Sequence, residues 1–159
     1  MRTYAPRFGG DVELWGLTGL LHDLDYERYP DPQTGHPRPA MAELRRRGYP
    51  EELVRAVASH ADYMNVPRIS DMERALYAVD ELCGFALACA YVRPEGLHGM
   101  TPRSVKKKMK QPSFAAAVGR EELRAGAEEL GVDFDEHLET VIAALEARAD
   151  ELMPAAHEH

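Results

Sequence analysis

GLLHDLD, residues 19–25, sets a histidine and an aspartate side by side directly after a leucine pair. Leu14, Leu17, Leu21 and Leu24 recur at the spacing that marks one face of a helix, and Asp11, after Gly9 and Gly10, is a suitable N-cap. A first helix is therefore predicted over 12–25. Its leucine row belongs in a core, so the adjacent imidazole and carboxylate must sit where that core fixes them. Adjacent helical positions point about 100° apart, so His22 and Asp23 share one metal only if it lies between their directions.

Helical punctuation recurs along the chain, while no fixed-period repeat and no sustained strand alternation is found. The proline-rich stretch YPDPQTGHPRP (29–39) reads as a loop, followed by a short helix over 40–47 ending at Gly48. Another opens with Pro50 in its first turn and closes at His60. Ser70 and Glu73 form a capping box before ALYAVDELCGFALACAYV (75–92), the predicted central helix. Thr101-Pro102 starts a basic helix, GREELRAGAEELG (119–131) gives another, and Asp133 with Glu136 caps a last one reaching about Met153. The fold class is all-α in a single domain over 1–153, with a flexible tail at 154–159.

Composition narrows the function classes. The longest apolar run, FALACAYV (85–92), is far short of the roughly 20 residues a membrane span requires, and the N-terminus lacks an apolar signal core, so a cytoplasmic protein is predicted. A net charge of −8 argues against an extended nucleic-acid surface. The exception is RSVKKKMK (103–110), which concentrates five of the nineteen basic residues and would welcome a phosphate-bearing ligand; an ordinary solvated helix face competes with that use. Cys83 and Cys89 fit neither a redox pair nor a zinc knuckle and are expected as buried thiols.

Asp80 stands amid the most apolar helix, on the side of Leu76, Cys83 and Leu87. An ionised carboxylate buried there demands a metal or strong hydrogen bonds. His36 lies in the proline-rich loop and His60 at a helix end, where each also has an ordinary structural alternative. Imidazole nitrogens and carboxylate oxygens together form the ligand set for Zn, Mn, Fe, Co or Ni. His98, His137, His157 and His159 are left outside the set, His137 because its helix face looks exposed. Asp25 and Glu27 read as solvated charges more readily than as partners of the ligands.

Taken with WGLTGLLHDLDYERYP, the GHP loop, ASH, YAVDEL and SVKKKMKQPSFAAAVGREEL, the chain resembles the HD superfamily of metal-dependent phosphohydrolases, and within it an uncharacterised bacterial branch. The resemblance implies a helical bundle around one or two divalent ions. It makes His22 and Asp23 the doublet, His36 and His60 the pair associated with a second metal, and Asp80 the closing ligand. It further implies hydrolysis of a phosphate ester by metal-activated water on a small phosphorylated substrate such as a nucleotide. His22, Asp23, Asp80 and His60 are then catalytic, and Arg103, Lys106 and Lys107 hold phosphate with Arg93 a weaker candidate. The competing functions are a di-iron oxygenase and a non-catalytic metal- or nucleotide-binding module. The superfamily's first histidine has no counterpart between Met1 and Leu21. The expectation is that Met1 is an internal methionine of a longer protein whose first helix is missing here; loss of a ligand is the alternative.

Overall fold

A computed structural model describes residues 1–153, and every regular element among them is helical. The chain divides into two compact units, Met1–Tyr77 and the residues from Ala78 onward. The tail expected at 154–159, with His157 and His159, lies outside the described residues. Among the described residues no helix is long and apolar enough to cross a membrane.

The first unit holds α1 (Val12–Leu21), α2 (Arg38–Arg46), α3 (Glu51–Ser59) and the start of α4 (Asp71–Tyr91). Asp11 caps α1 as predicted, its carboxylate accepting the Leu14 N–H at 2.7 Å. Leu14, Leu17 and Leu21 pack against Ala40 and Leu44 of α2 and Leu53, Val54 and Val57 of α3. Burial of each Leu or Val in such a cluster contributes about 1.5–3 kcal/mol. This small core fixes where α1 ends and where α3 ends, and both ends carry histidines.

The predicted first helix overruns. α1 stops at Leu21, His22 is its C-cap, and Leu24 is 47% exposed instead of continuing the stripe. The Leu24 N–H donates to Leu21 O and the Tyr26 N–H to Asp23 O, so residues 23–28 proceed through tight turns. Asp23 and Asp25 supply the reason: carboxylates oppose the negative end of a helix dipole, and aspartate is a poor helix former. The chain then returns through a loop in which the His36 N–H donates to Tyr29 O at 2.7 Å. A Cβ on Gly35 would stand 2.3 Å from that same carbonyl oxygen, so the return requires glycine. α2 begins at Arg38, earlier than expected, because Pro39 suits a first turn. The predicted capping box forms: Ser70 N–H donates to Glu73 Oε2 at 3.2 Å and Glu73 N–H to Ser70 Oγ at 3.2 Å. Glu73 is buried and faces Arg55 of α3 at 2.8 Å.

The second unit holds the remainder of α4 with α5 (Pro102–Met109), α6 (Arg120–Leu130), α7 (Phe134–Glu146) and α8 (Ala149–Leu152). Thr101 caps α5 through the Ser104 N–H, and Asp133 caps α7 through the N–H groups of Asp135 and Glu136. α5 and α6 each pack on α7, burying Val105, Met109, Leu123, Leu130, Leu138 and Val141. His137 corrects its exposed reading: it is fully buried, and its Nε2–H donates to Ala78 O at 2.9 Å. The last predicted helix is two, broken where Arg148 leaves helical geometry at φ −124° and ψ 22°. Propensity gives no warning, since the residues around the break are good helix formers; the break goes with burial of Ala149. Cys89 is buried as expected, which pushes its thiol up to about 11, while Cys83 is half-buried; both thiols are free.

Candidate metal centre

Four of the five proposed ligands lie in the first unit, where the fold brings their donor atoms to one place. His22 and Asp23 follow the end of α1, His60 caps the end of α3, and His36 sits where the loop turns into α2. The leucine packing that joins α1 to α3 thus sets the distance between the doublet and His60.

Each imidazole is oriented by its Nδ1. The Nδ1–H of His22 donates to Gly19 O at 2.8 Å, that of His60 to Val57 O at 2.6 Å, and that of His36 to Asp25 Oδ1 at 2.7 Å. Carbonyl and carboxylate oxygens only accept, so the proton in each ring belongs on Nδ1 and the lone pair on Nε2. All three lone pairs face one carboxylate. His22 Nε2 lies 3.4 Å from Asp23 Oδ2, while His36 Nε2 and His60 Nε2 lie 3.4 Å and 3.5 Å from Asp23 Oδ1. Donor atoms of His22, Asp23 and His60 all fall within 4.8 Å of one another.

The electrostatics follow from this convergence. Partial burial works to raise the Asp23 pKa, but the imidazoles of His60, His22 and His36 favour the carboxylate whenever they take up a proton on Nε2, and this outweighs burial and holds the carboxyl below its usual value. His36 Nε2 and His60 Nε2 are only 3.1 Å apart. Two nitrogen lone pairs at that separation repel unless a positive charge sits with them. A preset ring of Nε2 atoms around a carboxylate, each ring held through its other nitrogen, is the donor chemistry that suits a divalent transition metal. The residues present therefore fit such an ion.

Asp25 is the residue sequence reasoning undervalued. It is 4% exposed, not solvated, and besides orienting His36 it accepts the Ala40 N–H at 2.8 Å through Oδ2. Its signal was local: a second acid two positions after Asp23, in a stretch that already carries an imidazole. Glu27 is exposed, as read. Tyr63 completes the surroundings, its hydroxyl donating to His36 O at 3.0 Å, and burial raises its pKa so that it stays a donor.

The remaining candidates belong to the second unit. Asp80 lies on α4 and is half-buried, so desolvation argues less strongly for a ligand there than the apolar sequence suggested. On α5, Arg103 and Lys107 are exposed, whereas Lys106 pairs with Asp135, Nζ lying 2.8 Å from both carboxylate oxygens. Arg93 is engaged in closing its own loop, donating to Gly96 O at 3.0 Å and His98 O at 2.9 Å. His98 is exposed.

A family model described as HD domain matches residues 1–91, which takes in the doublet, His36, His60 and Asp80. No curated protein and no solved structure matches the chain.

Proposed function

This chain belongs to the HD domain family, made up mostly of metal-dependent phosphohydrolases, and from that premise we propose that it hydrolyses a phosphate ester on a nucleotide or related phosphorylated metabolite. One observation carries the proposal: three imidazoles, each fixed through Nδ1, aim Nε2 at the Asp23 carboxylate. His22, Asp23 and His60 would hold a divalent ion, with Asp80 added as closing ligand on the sequence resemblance alone. When bound, such an ion lowers the pKa of water toward about 7 and polarises the phosphoryl oxygen.

The chain's own groups do the rest. Water would be the nucleophile: its oxygen adds to phosphorus as a base takes its proton, the bond to the leaving oxygen breaks, and that oxygen takes up a proton. His36, steadied by Asp25, would orient the water and move a proton at Nε2, or would hold a second ion if one is bound. Arg103, Lys106 and Lys107 hold phosphate, and Arg93 supports them by shaping the neighbouring loop.

Elemental analysis followed by a phosphoester panel with Mn, Co, Ni, Zn and Fe tests the proposal. Asp23→Ala and His22→Ala are expected to lose metal and turnover with helicity retained, and Asp80→Asn to behave alike if it closes the ligand set. Full metal content and full rate in Asp23→Ala would refute the proposal. So would two tightly held irons with a dioxygen-dependent absorbance change and no phosphate release, or nucleotide binding by metal-loaded protein without any turnover.

A further inference from the structure

The second unit contains a cleft of about 750 Å³ lined by Arg103, Lys106, Lys107, Lys110, Arg120 and Arg124, with no carboxylate among its lining residues. It lies outside residues 1–91, so the family match says nothing about it. We propose that this cleft binds a compact polyanion carrying at least two linked phosphoryl groups. The proposal rests on reading α5 as the phosphate-holding segment and adds residues and a ligand class to it.

The six cations are not equivalent. Lys106 is neutralised by Asp135. Arg120 is committed to the backbone: its guanidinium donates to Ala115 O, Val118 O, Gln111 O and Phe114 O and lies over the Phe85 ring, so it builds the wall and lends its field. Arg124 is exposed and steadied over Phe134 with its centre 4.8 Å from the ring. Arg103, Lys107 and Lys110 pair with no carboxylate among the described residues, and they stand at i, i+4 and i+7, the first two on α5 and Lys110 as its C-cap. Like charges at that spacing oppose a helix. A chain with net charge −8 has ample acids to offset them, yet none is placed there.

An unoffset row of cations along a small cleft, facing a fixed arginine, matches several negative oxygens spread over linked groups better than one phosphate. The volume suits a small molecule. None of the described residues lining the cleft is aromatic, so no ring there offers a base to stack on; recognition falls to the phosphates.

Calorimetry on the chelator-treated, metal-free protein separates this site from hydrolysis, because binding is read with no turnover. Inorganic tripolyphosphate is expected to bind one to one, at least about tenfold tighter than orthophosphate. The paired variants Arg103→Ala with Lys107→Ala, and Lys110→Ala with Arg124→Ala, should each weaken it by about tenfold or more while far-ultraviolet circular dichroism stays unchanged. A nucleoside triphosphate binding as tightly as tripolyphosphate supports recognition through phosphates. His22→Ala should bind it as the parent does, so loss of the metal centre and loss of this cleft are told apart. Equal affinity for tripolyphosphate and orthophosphate, undiminished binding by both paired variants, or far tighter binding of a single-stranded oligonucleotide would overturn the proposal.

Discussion

The donor cluster of the first unit and the basic cleft of the second are opposites in charge and in how they are held. Around Asp23, the imidazoles give their Nδ1 protons to protein acceptors and turn Nε2 inward. Along α5, three cations stand in a row with no carboxylate to answer them. The first arrangement lacks a positive charge, the second a negative one. Under the two proposals above, a divalent ion would answer the first and a polyphosphate the second.

The contrast breaks most severely if the first cluster loses its orienting acid. Asp25→Asn keeps the shape but removes the charge behind His36, and a metal affinity lower by up to about 100-fold is expected, read by chelator competition. An affinity unchanged within error would mean that backbone carbonyls alone orient the rings. Next in size is Arg120→Met, which strips a wall of the cleft and leaves several loop carbonyls without their donor. A loss near 1.5 kcal/mol in urea unfolding is expected, together with weaker tripolyphosphate binding. If binding drops while stability stays, Arg120 touches the ligand and the contrast sharpens.

The smallest effect concerns a surface triad, Glu43 with Arg46 and Arg47. Hydrogen bonds from Arg46 and Arg47 pull the Glu43 carboxyl down to about 2 from an ordinary 4.5. A depressed folded-state pKa stabilises above 4.5 and loses that contribution as pH falls toward 2. Glu43→Gln should therefore flatten the acid limb of the stability curve slightly, and added salt should erase the difference. An unchanged limb at low salt would assign this triad no part in holding α2.

Helix beginnings were legible because their signals are local. Asp11, Thr101, Asp133 and the Ser70–Glu73 box each satisfy N–H groups a few positions away. The end of α1 was not. α1 overran by four positions (25 − 21) because a leucine at 24 continued the stripe on paper, while the two aspartates acting against the helix dipole were read only as charges. The doublet, His36 and His60 were found by order and resemblance. Asp25 was undervalued because its one local signal, a second acid two positions after Asp23, does not separate a solvated carboxylate from one buried behind a histidine; its partners at 36 and 40 are loop-distant. Lys106 shows the same limit: its partner Asp135 is twenty-nine positions away. His137 was misjudged because the neighbour that accepts its proton, Ala78, is fifty-nine positions off.

The helix that carries the leucine row stops at Leu21, one residue before the doublet begins. Under the proposed function, shape and chemistry are thereby written on separate stretches: the row assembles the scaffold, and the two residues after it would hold the ion. Damage at positions 22 and 23 would then remove the ion and leave the apolar scaffold folded. Screens that sort variants by foldedness would pass every one of them.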